Sequence, residues 1–149
     1  MSVEQDGAAW VLVIEDEEDD AELIARAFRR AGIANPLERV MDGDAAVARL
    51  GDPARPPPAL VLLDLKLPRR SGFEVLEWLR AGGGGEAARR VPVVVLTSSD
   101  QERDVRRAYD LGANSYLVKP VGAPALLQIA QNLDDYWLRL NRAASPVGA

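Results

Sequence analysis

Pro58-Ala-Leu-Val-Leu-Leu-Asp64 is a run of almost unbroken apolar residues closed by a carboxylate. A run of strand length with no apolar/polar alternation predicts a strand covered on both faces, as in a parallel sheet. The pattern recurs at Trp10-Val-Leu-Val-Ile14, which runs directly into Glu15-Asp16. In open α/β sheets, ligands and chemistry collect in the crevice beyond the carboxyl ends of the strands. Two buried strands that discharge carboxylates at one edge predict an acidic pocket there, and an acidic pocket suits a hard cation.

Working outward, apolar and helix-periodic segments alternate along the chain. Strands are expected at Ala9–Ile14, Leu37–Met41, Leu60–Leu63, Val91–Leu96 and Ser115–Val118. Helices are expected at Asp19–Ala31, Asp44–Leu50, Gly72–Ala81, Asp100–Leu111 and Ala123–Arg142. Ser71-x-x-Glu74 and Ser99-x-x-Glu102 both fit the capping box, and Gly32 and Gly112 stand where helix C-caps fall. Successive βα units predict a parallel five-stranded sheet with helices on both faces, a doubly wound α/β fold. The Pro-rich segment Asp52–Pro58 and the Gly-rich segment Gly82–Arg90 are expected to be loops. Because Gly82–Gly85 follows a helix rather than a strand, it is a linker and not a phosphate cradle.

The 149 residues suffice for one self-supporting core, so one domain is expected over residues 9–142, with flexible ends at 1–8 and 143–149. With no cysteine and no histidine, the chain has no thiol chemistry, no thiolate or imidazole metal ligand and no phosphohistidine of its own. A net charge of −5 argues against direct DNA binding and against anionic membranes. No stretch reaches the ~20 apolar residues that span a bilayer. The acidic start Met1–Gly7 lacks the apolar core of a signal peptide, so a cytoplasmic protein is expected. Basic residues are lopsided, with 18 Lys plus Arg of which only Lys66 and Lys119 are lysine. Lysine offers a compact ammonium where arginine offers a planar fork.

Four strand ends present polar groups: Glu15-Asp16, Asp64, Thr97-Ser98 and Lys119-Pro120. Magnesium takes one or two carboxylates together with water and phosphate oxygens. A phosphoryl group arriving at Asp64 would find the metal, the Lys119 ammonium and the Thr97 hydroxyl around its oxygens, which is the electrostatic provision phosphoryl transfer requires. The neighbouring acids Glu17–Asp20 are expected to form a solvated turn that suits a helix N-terminus, with no metal role.

Taken together, Val-Ile-Glu15-Asp16, Leu-Leu-Asp64-x-x-x-Pro68, Val-Leu-Thr97-Ser98 and Tyr116-Leu-Val-Lys119-Pro120 resemble the response-regulator receiver domains of two-component signalling, over Ala9 to Leu133. The resemblance implies a flavodoxin-like strand order of 2-1-3-4-5, with Asp64 as phosphoacceptor for a sensor histidine kinase. It implies Mg²⁺ held by Asp16 directly, by Asp64 and the backbone carbonyl of Lys66, and by Glu15 mostly through water, with Thr97 and Tyr116 as a switch pair and a cis Lys119–Pro120 bond. It also implies a switch that catalyses only its own phosphorylation and dephosphorylation. Leu126–Leu140 forms an apolar stripe on a last helix of about twenty residues, or ~30 Å, some two turns longer than the sheet needs. That tail resembles the single-domain regulators that serve bacterial phytochrome kinases, and Tyr136, Trp137 and Leu140 are expected to form a homodimer face. With no output domain after this helix, the signal is expected to pass through protein contacts.

Two other readings compete. A haloacid-dehalogenase-type phosphatase also uses an aspartate nucleophile after a strand, but its general acid, two positions on, would here be Lys66. A phosphorylation-independent interaction module would have no need of Glu15, Asp16 and Lys119 together.

Overall fold

The computed structural model describes residues 9–144. Five strands, β1 (Val11–Ile14), β2 (Leu37–Val40), β3 (Leu60–Leu63), β4 (Val93–Thr97) and β5 (Ser115–Val118), form one sheet. All pairings are parallel and the order is β2-β1-β3-β4-β5. The helices between and after them are α1 (Glu18–Arg30), α2 (Gly43–Leu50), α3 (Gly72–Arg80), α4 (Glu86–Arg89), α5 (Glu102–Asp110) and α6 (Ala123–Leu133). The predicted flexible ends fall outside the described residues apart from 143 and 144, which are exposed and irregular.

The strand pleat explains why the β1 and β3 runs do not alternate. Leu12, Ile14, Val61 and Leu63 point to one face, where Leu50, Leu76 and Leu79 of α2 and α3 cover them. Val11, Val13, Leu60 and Leu62 point to the other, under Ile24 and Phe28 of α1 and Ala130 and Leu133 of α6. Successive residues of a strand face opposite ways, so a sheet wound on both sides needs apolar residues at every position. Burying each of the Val, Leu, Ile and Phe side chains contributes about 1.5–3 kcal/mol. The edge strands β2 and β5 are only half covered.

Local signals set several helix ends. The Ser71 hydroxyl accepts from the Glu74 N–H while the Glu74 carboxylate accepts from the Ser71 N–H, completing the expected capping box. Gly32 and Gly112 follow α1 and α5 with φ of 75° and 104°, the left-handed conformation that closes a helix. The second predicted capping box does not form. Gln101, not Ser99, is the N-cap of α5, and Ser99 instead donates to Asp104 and accepts from the Gln101 N–H. Ser99 stands two residues too early, so its hydroxyl organises the turn before the helix.

Three further expectations need correction. The Gly82–Arg90 segment is not all loop, since α4 forms one turn across Glu86–Arg89, supported by the Glu86–Arg89 pair. The Lys119–Pro120 peptide is trans, like every peptide bond among the described residues; the tertiary amide of an X–Pro bond leaves trans favoured by roughly 0.5–1 kcal/mol. The last helix is α-helical only to Leu133 and continues as a π-helical segment over Asp134–Leu140. The wider turn brings residues five apart into contact, and Asp134 pairs with Arg139 at 3.0 Å. In this segment Trp137 and Leu138 turn inward onto the α1-side core, whereas Tyr136 and Leu140 are 51% and 73% exposed. No helix among the described residues is long and apolar enough to cross a membrane.

Candidate functional site: an acidic pocket at the carboxyl edge of the sheet

Register alone brings the central carboxylates together. Ile14 pairs with Leu63, so the residues that follow them, Glu15 and Asp64, emerge side by side. The ladder extends one step past the strands, with the Asp64 N–H donating to the Ile14 carbonyl at 3.0 Å and the Glu15 N–H to Val40 at 3.1 Å. On the other side Thr97 closes β4, and the Lys119 N–H bonds its carbonyl at 2.7 Å. Carboxylate oxygens of Glu15, Asp16 and Asp64 all lie within 4.8 Å of one another.

Both oxygens of Asp64 are engaged. Oδ1 accepts from the Thr97 hydroxyl at 2.8 Å and from the Lys66 N–H at 3.3 Å. Oδ2 accepts from Lys119 Nζ at 2.9 Å. Lys119 Nζ also meets Glu15 Oε1 at 2.7 Å and Asp20 Oδ2 at 2.7 Å, so its three protons face three carboxylates. Glu15 and Thr97 are 1% and 0% exposed, and Asp64 is buried; Asp16 is the most open of the three clustered acids. The Lys66 side chain is exposed, and its loop forms the rim of the pocket.

The electrostatics follow from one ammonium among four carboxylates, three of them bonded to it. Burial pushes the Glu15 carboxyl up to about 7; the Lys119 and Glu17 hydrogen bonds oppose this, and the Asp64 charge adds to it. Burial works against the Lys119 ammonium, but hydrogen bonds to Asp20, Glu15 and Asp64 outweigh it and hold the group above its ordinary range. Such a pocket lacks positive charge. Its donor set is all oxygen and of the size a divalent hard cation takes, so Glu15, Asp16 and Asp64 fit Mg²⁺.

The backbone around the pocket is tightly specified. A Cβ on Gly72 would lie 2.3 Å from the Asp64 carbonyl oxygen, so only glycine lets α3 start against the end of β3. In the connecting loop Arg69 sits at φ 72°, a conformation that costs a non-glycine residue of order 1 kcal/mol or more.

Tyr116 does not line the pocket. Its hydroxyl donates to the Ser99 carbonyl at 2.9 Å, and its ring packs beside Leu65, Val95 and Ala108, on the α5 side of the sheet. Burial first, and then the Asp104, Asp100 and Asp64 charges, push its phenol up against the opposing Ser99 hydrogen bond. Tyr136 and Trp137 stack edge-to-face at 4.8 Å in the π-helical segment, remote in sequence from every strand end. The sequence reading therefore placed Glu15, Asp16, Asp64, Thr97 and Lys119 together as the structure does, but it left out two residues. Asp20, assigned to a solvated turn, is bonded to Lys119. Arg39 of β2 clamps the Glu15 and Asp16 carbonyls at 2.9 and 3.1 Å, fixing the turn that carries both acids. Nothing local marked either of them: Asp16 lies before α1, so no helical spacing ties it to Asp20, and Arg39 acts from an edge strand.

An acidic pocket with an aspartate and a lysine at the carboxyl edge of a 2-1-3-4-5 parallel sheet defines a receiver-type α/β domain. The sequence pattern of the response regulator receiver domain matches residues 11–131, and the chain belongs to that family. It is 42% identical over 139 residues to the probable methanogenesis regulatory protein FilR2 of Methanothrix harundinacea, covering 91% of this chain and 88% of that protein. It is 35% identical over 142 residues to the response regulator Rcp1 of Synechocystis, covering 93% and 95%. The Mn²⁺-bound structure of Rcp1 superposes with a TM-score of 0.80 at 33% identity, over 92% of this chain and 99% of that one. The phosphorylated cyanobacterial phytochrome response regulator RcpA superposes with a TM-score of 0.81 at 32% identity, over 93% and 99%. The family is a signalling switch, and its members work with sensor histidine kinases.

Proposed function

We propose that this protein accepts a phosphoryl group from the phosphohistidine of a sensor kinase onto Asp64 and thereby switches its protein contacts. The observation that carries this reading is Asp64 itself: a buried carboxylate with Thr97 and the Lys66 N–H on one oxygen and Lys119 on the other. In the reaction an Asp64 oxygen attacks phosphorus, the P–N bond to the donor imidazole breaks, and an acyl phosphate forms. The imidazole leaves with the electron pair and is reprotonated. Because the chain has no histidine, the donor is another protein or a small acyl phosphate.

Glu15, Asp16 and Asp64, with the Lys66 carbonyl as a further oxygen, would hold Mg²⁺, which supplies charge neutralisation for the phosphoryl oxygens. Lys119 and the Thr97 hydroxyl lie where the remaining phosphoryl oxygens arrive. Their present partner is the Asp64 carboxylate, so both hydrogen bonds must be exchanged on phosphorylation. Movement of Thr97 is transmitted to the β4–α5 side, where Tyr116 holds the Ser99 carbonyl two residues further on. The two form the switch.

The protein acts on itself and is not a phosphatase of other substrates. Lys66, two residues after Asp64, offers no general acid in the place a haloacid-dehalogenase-type enzyme needs one. RcpA, a cyanobacterial phytochrome response regulator, supports a phytochrome-type kinase as the partner, whereas FilR2 is named for a different pathway. We further propose a cytoplasmic homodimer that does not bind DNA directly. Its contacts centre on the exposed Tyr136 and Leu140, with Trp137 packed behind and fixing the Tyr136 ring.

Incubation with acetyl phosphate and Mg²⁺ tests the reading. The intact mass should rise by one phosphoryl group, and the gain should vanish in Asp64→Asn or when the metal is chelated. Turnover of unrelated phosphoesters would instead favour the phosphatase.

A further inference from the structure

Lys119 spends each of its three protons on a different element: Glu15 after β1, Asp64 after β3 and Asp20 in the first turn of α1, at 2.7, 2.9 and 2.7 Å. These acceptors are not equivalent. Glu15 and Asp64 belong to the group of three carboxylates that fits a cation, whereas Asp20 does not. Whatever occupies that group competes with the ammonium for Glu15 and Asp64, and a phosphoryl group on Asp64 takes away the oxygen that Lys119 now holds. Two of the three anchors are thus lost or exchanged during the reaction, and only the third stays.

Resting on the phosphoryl-acceptor reading above, we infer that Asp20 is a positioning residue that keeps the Lys119 ammonium at the phosphoryl site throughout the reaction. A lysine head on a four-carbon stem loses much rotamer freedom when fixed, and one permanent hydrogen bond to a helix supplies that constraint in advance. The Asp20–Lys119 bond also joins positions 99 residues apart, tying the start of α1 to the turn after β5. Asp20 touches no reacting atom; it acts through the lysine. Its side chain is 36% exposed, so water solvates part of its charge, and what it adds beyond charge is a fixed place for the ammonium.

The distinction between position and charge gives the test. Asp20→Ala removes both, whereas Asp20→Asn keeps a carbonyl oxygen that can accept from the ammonium. In the metal-free protein, NMR of the Lys119 ammonium should show proton exchange with water at least tenfold faster in Asp20→Ala than in wild type, and slowed again in Asp20→Asn. With acetyl phosphate and Mg²⁺, well below the melting temperature of each variant, phosphorylation should be about fivefold slower in the alanine variant. The asparagine variant should recover at least half of that loss. An unchanged or faster rate in Asp20→Ala, or an asparagine variant no better than the alanine one, overturns the inference. If wild type itself gains no phosphoryl group, the proposed function fails, and the metal-free exchange measurement still decides whether the tether exists.

Discussion

Glu15 shows how one buried residue links the metal site to pH. Its carboxyl stands at about 7 in the folded protein against an ordinary 4.5, with burial as the main cause. A raised acid binds its proton more tightly folded than unfolded, so its contribution to stability is present in full below pH 4.5 and is lost as pH rises through about 7. The metal-free protein should therefore lose stability across that window, by at most about 1.4 kcal/mol per pH unit from this group. A cation reverses the preference, because it requires Glu15 ionised and displaces the proton. Apparent Mg²⁺ affinity should fall as pH drops below 7, by up to about tenfold per unit. Calorimetric titrations at pH 6 and pH 8 in buffers of different ionisation enthalpy check both the fall and the proton release. Equal affinities at the two values would refute it, and Glu15→Gln should remove the dependence.

Between elements, the tightest fit is at the start of α3. Alanine would normally be favoured over glycine inside a helix by about 1 kcal/mol. At position 72, however, the added methyl would meet the Asp64 carbonyl at 2.3 Å, and this neighbour is backbone at the end of a central strand. Overpacking of this kind costs roughly 1–3 kcal/mol, so strain wins. Gly72→Ala should lower the urea midpoint without changing the slope, and should slow phosphorylation by displacing the strand end that carries Asp64. An unchanged midpoint and rate would show that the helix start can shift freely. The contrast with Asp20 shows what was legible in the sequence at this scale. The apolar runs Trp10–Ile14 and Pro58–Leu63 announce buried strands, and Ser71-x-x-Glu74 announces a helix start, because both signals are local. Which acid of Glu17–Asp20 turns inward depends on where α1 begins and on a lysine 99 residues away. No local pattern carries that information. Nor does an apolar stripe at three- and four-residue spacing reveal a switch to π-helix after Leu133, whose wider turn rotates the stripe so that Trp137 and Leu138 face inward while Tyr136 and Leu140 do not.

At the scale of the whole molecule, the doubly wound sheet does one thing for function: it converts four separate strand ends into a single pocket. The site was legible to the extent that it is made by topology, and Arg39 escaped because it acts on backbone carbonyls from an edge strand whose sequence, Leu-Glu-Arg-Val, looks merely half exposed. The long last helix turned out to divide its aromatic pair, with Trp137 on the protein's own core and Tyr136 toward solvent. Sedimentation at tens of micromolar should find a homodimer, and replacing Tyr136 and Leu140 together by serine should give a folded monomer. A wild-type monomer at that concentration would exclude the interface. The central claim is that Asp64 is the atom-level destination of the phosphoryl group, and it is tested most directly by locating that group. After reaction with acetyl phosphate and Mg²⁺, borohydride reduction of the acyl phosphate followed by peptide mass mapping should convert residue 64, and no other, to homoserine. A modification at any other residue, or a phosphorylated protein in which residue 64 is untouched, would contradict the account.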